Sequence, residues 1–327
     1  MSDTSPSAHS SADCPTPPPQ WEREVIEKLA FAALVEQRRA RRWSIFFKLS
    51  LLAYLLVLLW LIAQPRLSSD LGDANKPHTA IIHIDGMIAQ DHEASAEMII
   101  ESLRDALKDK KTQGVILHLN TPGGSPVQAD EIYQEIRRLK TKHPAIPLYA
   151  VIADICASGG YYIAAAADKI YANPASIVGS IGVLMNGFGF VESLQKLGIE
   201  RRLLTAGEHK AMLDPFLPQN ETELVHMRRM LQQVHQQFID AVRQGRGERL
   251  VESSDVFSGL VWTGKEALQL GLIDGLGSAD YVAREIIGAE KLVDFTQQER
   301  LLDRIAGRLG ATLQQAMTNL VGAWEWR

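Results

Sequence analysis

Cysteine is nearly absent from this chain, with only Cys14 and Cys156 in 327 residues. Two such distant thiols give no disulfide framework, and no Cys/His run has the spacing of a zinc-ligand motif. An excess of basic charge is also missing. Lys and Arg number 34 against 39 Asp and Glu, for a net charge of -5, which argues against a general nucleic-acid binder. No Gly-Lys-Ser/Thr follows either glycine turn of interest, Thr121–Ser125 or Cys156–Gly160, so a phosphate cradle has no support there. The second turn is not a G-x-S-x-G elbow either, because Cys156 stands where the first glycine would be. Nine histidines are present, yet no downstream Asp/His pattern singles one out as the base for a serine. Hydrophobic residues make up 46% and charged residues 22%, ample for one large domain or two small ones.

Charge is unevenly spread. Arg38, Arg39, Arg41, Arg42 and Lys48 are opposed only by Glu36, and this basic block leads into the most apolar run of the chain, from Trp43 to Ala63. At roughly 1.5 Å per residue, its ~21 residues reach about 30 Å as a helix, the thickness of a bilayer core. Trp43 and Trp60 fall near its two ends, where interfacial anchors sit, and Lys48 is placed to snorkel. The expectation is a single N-terminal transmembrane helix over 43–63. Residues 1–42 then stay cytoplasmic and the rest is exported to the periplasmic side of an inner membrane. A cleaved signal peptide fits less well, since its apolar region is shorter and fewer residues precede it.

Residues 1–20, rich in Ser, Pro and Thr, read as disordered, and 21–42 as a partly amphipathic helix. A polar linker over 64–77 follows. Beyond it, strand and helix patterns alternate. Strands are expected at 79–85, 114–120, 147–153, 169–174 and 199–204, and helices at 93–110, 126–140 and 219–245. Nearly continuous apolar strands indicate a buried, largely parallel sheet in an α/β domain over 78–297. Residues 298–327 read as a C-terminal amphipathic helix.

Chemistry is expected at the carboxyl ends of strands, where the two glycine turns fall. If the turns are neighbours, the Gly124 and Gly159 N–H groups can converge on one oxygen, as a tetrahedral oxyanion requires. Taken singly, each turn is more simply explained by close helix–sheet packing. Ser158 needs a base. His118 lies on the second strand, where a core or solvent-facing role is the simpler reading. Lys210, in Thr205-Ala206-Gly207-Glu208-His209-Lys210, is another candidate. An amine with the ordinary lysine pKa of roughly 10.4 is neutral only about once in 2,500 at pH 7, so such a base needs an apolar, water-poor site.

Four separated blocks decide among these readings: 120–125 (NTPGGS), 157–183 (ASGGYYIAAAADKIYANPASIVGSIGV), 205–216 (TAGEHKAMLDPF) and 259–277 (GLVWTGKEALQLGLIDGLG). Together they resemble the signal peptide peptidase A (SppA, protease IV) family of membrane-anchored Ser–Lys peptidases, with its SohB-like relatives, over roughly 79–290. The resemblance implies a ClpP/crotonase-like α/β fold of repeated ββα units and assembly into homo-oligomeric rings or domes. It implies Ser158 as nucleophile, Lys210 as general base, Ser180 as the group that orients Lys210, and Gly124 and Gly159 as oxyanion donors. No cofactor and no metal are implied. Expected substrates are peptides that start at the membrane: cleaved signal peptides and other apolar remnants. The stretch after the lysine, Met212–Asn220, departs from the serine-proline-arginine pattern of many small relatives, which leaves the specificity pocket open.

Three alternatives stand beside this one. A Ser158-His209-Asp214 triad would use the neighbouring histidine. A non-enzymatic oligomeric scaffold or peptide-binding inactive relative would use none of these groups. A crotonase-type acyl-CoA enzyme would share the oxyanion geometry but would have no use for an anchor or a Ser–Lys pair.

Overall fold

The structure is a computed structural model, and it describes residues 20–63, 76–251 and 253–297. Of the expected disordered segment over 1–20 only Gln20 is described, as the first residue of a helix, and most of the linker over 64–77 and the C-terminal helix over 298–327 lie outside the described residues. Two units are present, 1–67 and 68–327.

In the first unit a single helix, α1 (Gln20–Ala63), runs through both the expected amphipathic helix and the expected membrane segment. Every side chain from Trp43 to Val57 is exposed. Among the described residues no helix is long and apolar enough to cross a membrane.

The second unit is a mixed α/β domain, as the alternating pattern predicts. Its elements are β1 (His78–Ile88), α2 (Ala96–Lys108), β2 (Thr112–Gly124), α3 (Pro126–Lys142), β3 (Leu148–Ala157), α4 (Gly159–Ala164), β4 (Lys169–Ala172) and β5 (Ile177–Gly179). Then come α5 (Val191–Lys196), α6 (Glu221–Arg246), β6 (Val261–Thr263), α7 (Gly264–Gln269), β7 (Gly275–Leu276), α8 (Ala279–Tyr281), a π-helical turn (Val282–Ile287) and β8 (Leu292–Asp294). The sheet runs β6-β5-β3-β2-β1-β8, with β4 paired to β3 and β7. Every pairing is parallel except β5 with β6.

Alternation along the strands sorts side chains to two faces. Ala80, Ile82, Ile84, Val115, Leu117 and Leu119 enter the main core with Ile99, Leu103, Ile132 and Ile136 of α2 and α3. Ile81, Ile116, Val151 and Tyr171 face the other way, onto Val282 and Ala283 of the π-helical turn. The central strand β3 has two partners on one side. Its first half pairs with β4, from Tyr149 with Lys169 to Ile152 with Ala172, and its end with β5, from Ile155 with Ile177 to Ala157 with Gly179. Between the two partners Ser176 Oγ donates to the Ala153 carbonyl and so closes the gap.

Two expectations change. The strands β1, β2 and β3 run three or four residues further toward their carboxyl ends than the apolar runs suggest. Residues 121–124 and 154–157 are therefore strand, because pairing continues through polar and glycine positions. The expected strand over 199–204 does not form. Its residues are exposed, Leu204 at 99%, and a strand without a paired neighbour has no partner for its backbone groups.

One buried ion pair ties α6 to the sheet. Arg246 Nη1 donates to Asp274 Oδ2 at 2.7 Å, Ile170 N donates to the same oxygen at 2.7 Å, and Arg249 Nη1 reaches Oδ1 at 2.9 Å. Arg246 is 1% exposed, so its charge depends on this partner. Asp274→Ala is expected to lower unfolding stability by about 3–5 kcal/mol, the penalty for stranding a buried charge. Arg249→Ala, at the more exposed partner, is expected to cost about 1 kcal/mol or less. Urea unfolding of the two variants measures the contrast; equal losses would show that Arg246 does not depend on Asp274.

Candidate active site

The site is built where β2 and β3 end side by side. At the end of β2, Gly124 pairs with Ile88 of β1, and Ser125 N donates to the Ile88 carbonyl at 2.8 Å. Ser125 then caps α3: its side chain accepts from Gln128 N, and Pro126 takes the first helical turn, where a missing N–H costs nothing. A Cβ on Gly124 would stand 2.1 Å from the Ile88 carbonyl oxygen, which leaves room only for glycine.

At the end of β3 the chain turns sharply. Ser158 has φ 51° and ψ -122°, a conformation that non-glycine residues seldom adopt, and its N–H donates to the Gly179 carbonyl at 2.9 Å. The bond to β5 holds Ser158 in that conformation, and α4 starts at the next residue. Ser180 has a similar backbone, φ 52°, and is held by its N–H to Leu260 O at 2.8 Å. Each serine follows directly on a strand end and bends out of it.

The two glycine turns are in contact, as an oxyanion site requires. A Cβ on Gly123 would lie 2.8 Å from both Gly159 N and Ser158 Cβ. A Cβ on Gly159 would lie 3.3 Å from Gly124 N. Gly159 opens α4, and the first N–H groups of a helix have no partner within it. Ser158, Ser180, Gly124 and Gly159 all line one cavity of about 550 Å³. Val183, Leu184, Val234 and Phe238 supply part of its apolar wall.

Lys210 is not brought to this cavity within the single chain. It is exposed, sits in a turn with its N–H on the Gly207 carbonyl at 3.1 Å, and lines a separate surface cavity with Arg201, Leu203 and Phe216. The alternative triad is not assembled either. His209 Nδ1 lies 3.1 Å from Glu223 Oε1, while Asp214 is held by Arg201 at 2.9 Å and by Phe216 N at 2.9 Å. These two contacts depress the Asp214 carboxyl, the backbone N–H first. His118 faces elsewhere on the sheet, and burial and the neighbouring His83 push its imidazole down. Cys156 is fully buried, and burial pushes its thiol up, consistent with the packing role expected for it.

Two wall residues escaped the sequence reading. Tyr162 Oη donates to Asp130 Oδ1 at 2.9 Å, and both side chains border the cavity. Burial, then the bond to Asp130, pushes the phenol up. Tyr162 follows Ser158 by four residues, one helical turn, so spacing on α4 pointed to it. Nothing comparable marks Asp130 on α3.

The profile of Peptidase family S49 matches residues 140–293, a span that includes Ser158, Ser180 and Lys210. A putative protease of Synechocystis sp. is 30% identical over 204 residues, covering 62% of this chain and 70% of that protein. The chain belongs to peptidase family S49. Similarity within and around the family extends to a putative signal peptide peptidase SppA of Enterococcus faecium, 29% identical over 223 residues, 66% of this chain and 64% of that one. A Brucella abortus protein named Na(+)/H(+) antiporter NhaA is 43% identical over 198 residues, 61% of this chain but 27% of its own length. The chain thus spans about a quarter of the latter relative and just under two thirds of the former.

Gly160 tests how closely this S49 site is packed. A Cβ there would stand 2.5 Å from Thr121 Cγ2. Gly160→Ala is expected to destabilise the protein by about 1–3 kcal/mol through overpacking. Adding Thr121→Ser removes that methyl, keeps the hydroxyl that accepts from Gly123 N, and is expected to restore much of the loss. Thermal unfolding of the single and double variants measures it; no rescue would mean the glycine is required for another reason.

Proposed function

We propose that this S49 chain is a membrane-anchored serine endopeptidase in which Ser158 and Lys210 form the catalytic dyad. The observation that carries the reading is Ser158 itself. It is bent out of β3 onto a cavity with a partly apolar wall and set against two touching glycine turns. Ser158 Oγ attacks a peptide carbonyl while neutral Lys210 takes the hydroxyl proton. The carbonyl oxygen gains the electron pair and is held by the N–H groups of Gly124 and Gly159. Lys210, now an ammonium, protonates the leaving amine, and water later cleaves the acyl-enzyme by the same sequence. Ser180, on the same cavity, orients the Lys210 amine once it arrives.

Assembly supplies the lysine. In the stretch that leads from Ser180 to Lys210 the chain exposes large apolar side chains: Leu184, Phe188, Leu197 and Leu204 are 72–99% exposed. Large apolar side chains exposed to this degree favour a surface that is covered in the assembled protein. Packing of copies into the ring or dome of a ClpP/crotonase-like assembly covers that stretch, carries Lys210 to a Ser158 cavity and gives it the dry surroundings a neutral amine needs. The exposed apolar run of α1, preceded by Arg38, Arg39, Arg41 and Arg42, supports an anchor in the inner membrane with the catalytic domain outside the cytoplasm. Substrates are then peptides released in the membrane, such as cleaved signal peptides, bound extended along the strand ends. The separation of Lys210 from Ser158 in one chain is the single feature that favours the alternative, a peptide-binding scaffold without catalysis.

Peptide turnover decides between them. The detergent-solubilised full chain should cut an apolar signal-peptide fragment, with fragments mapped by mass. Ser158→Ala and Lys210→Ala should each lose about 1,000-fold or more in rate, whereas His209→Ala should stay near wild type. Retained cleavage in Lys210→Ala would remove the dyad, and absence of cleavage by wild type would favour the scaffold.

A further inference from the structure

A second polar cluster lies away from the Ser158 cavity. His83 on β1 and His118 on β2 are direct partners in the parallel register, and their rings meet edge to face with centroids 4.9 Å apart. Asp85 lies two residues beyond His83, on the same face of β1. One ligand atom from each of His83, Asp85 and His118 lies within 4.8 Å of the others. The main core takes Ile82, Ile84, Leu117 and Leu119, so alternation puts the cluster on the opposite face, beside Ile81 and Ile116.

Structure alone gives these side chains little reason to be there. His118 Nδ1 is buried with no hydrogen-bond partner among the described residues, an arrangement that costs desolvation unless something occupies it. Burial and the neighbouring His83 push the His118 imidazole down, and the carboxylates of Asp85, Asp154 and Asp280 act against that. At Asp85 the strand pairing shifts register, and Gly86 follows with φ 78°, so the strand is bent where its carboxylate would have to reach inward.

We propose that His83, Asp85 and His118 bind one divalent first-row transition ion, zinc being the best fit. Two imidazoles with one carboxylate suit zinc and its neighbours and do not suit calcium or magnesium, which prefer oxygen alone. Zinc bonds of about 2.0–2.2 Å put tetrahedral ligand atoms roughly 3.3–3.5 Å apart. The cluster therefore closes by about 1.5 Å or less, within the reach of an exposed Asp85 side chain and two half-buried rings. Water takes the fourth position. The ion clasps β1 to β2 three residues before Ile88, whose carbonyl receives Ser125 N, and so stiffens the strand ends that carry Gly124. No sequence spacing announces such a site, since its ligands meet only through the β1–β2 register.

Calorimetric titration of chelator-stripped full chain with zinc tests this. One ion per chain is expected, with affinity falling by ~10-fold or more in His83→Ala, His118→Ala and the exposed Asp85→Asn. His226→Ala, at an exposed histidine of α6, should leave both stoichiometry and affinity unchanged. Cobalt substitution should give the intense visible bands of a four-coordinate nitrogen–oxygen site, lost in Asp85→Asn, a variant chosen because its side chain is outside the core. Zinc stoichiometry and affinity unchanged in all three ligand variants, or no zinc bound by the wild-type chain, would overturn the site.

Discussion

The contact between the ends of β2 and β3 is the constraint on which the site depends. Gly123 presses against Ser158 Cβ and Gly159 N so closely that even a methyl group would not fit. That approach exists because β2 and β3 are adjacent parallel strands, paired from Val115–Leu148 to Thr121–Cys156. It also needs β3 to exchange β4 for β5 half-way along. Beside β5, the Gly179 carbonyl takes the Ser158 N–H and fixes the left-handed turn. Remove the switch of partners and the serine would continue the strand. The sheet's topology, more than any one side chain, places the hydroxyl.

The same geometry explains the division of labour among the glycines. Gly124 is confined by the Ile88 carbonyl and Gly160 by Thr121, so each is a close-approach position. Gly159 is less crowded, with the nearest atom 3.3 Å from where a Cβ would stand, and it opens α4, so in the proposed mechanism its part is to present its N–H. Backbone donors positioned by packing need no reorganisation when charge develops on a substrate oxygen, which is why such groups lower barriers more than mobile side chains do.

Legibility from sequence follows the range of the interactions. Period-two and period-3.6 patterns are local, and β1, β2, β3, α3 and α6 follow from them to within a few residues. A local pattern ends the strands too early because pairing with a neighbour, which it does not register, carries β2 through Pro122-Gly123-Gly124. The stretch 199–204 fails for the converse reason: its apolar pattern is local, but among the described residues no strand pairs with it. Four of the five candidate site residues meet on one cavity, and the residue blocks that named them also named Lys210, which does not. A motif lists residues by their order along the chain, while the structure of a single chain shows only what its own contacts hold. Asp130 was not legible at all, being an unmarked position on a helix face.

His118 shows how one strand serves two faces. Its neighbours Leu117 and Leu119 are fully buried in the main core, and the strand they build delivers Gly123 and Gly124 to Ser158. An imidazole on the opposite face contributes nothing to that core, yet its register partner is another imidazole, with a carboxylate two residues on. Apolar side chains at these positions would have extended the small second cluster of Ile81, Ile116 and Val151 at no cost in unsatisfied nitrogen. His118 Nδ1, unpartnered among the described residues, leaves room for a partner from outside the chain. A bound cation would be such a partner, and its effect would reach the catalytic cavity through the two strands it joins.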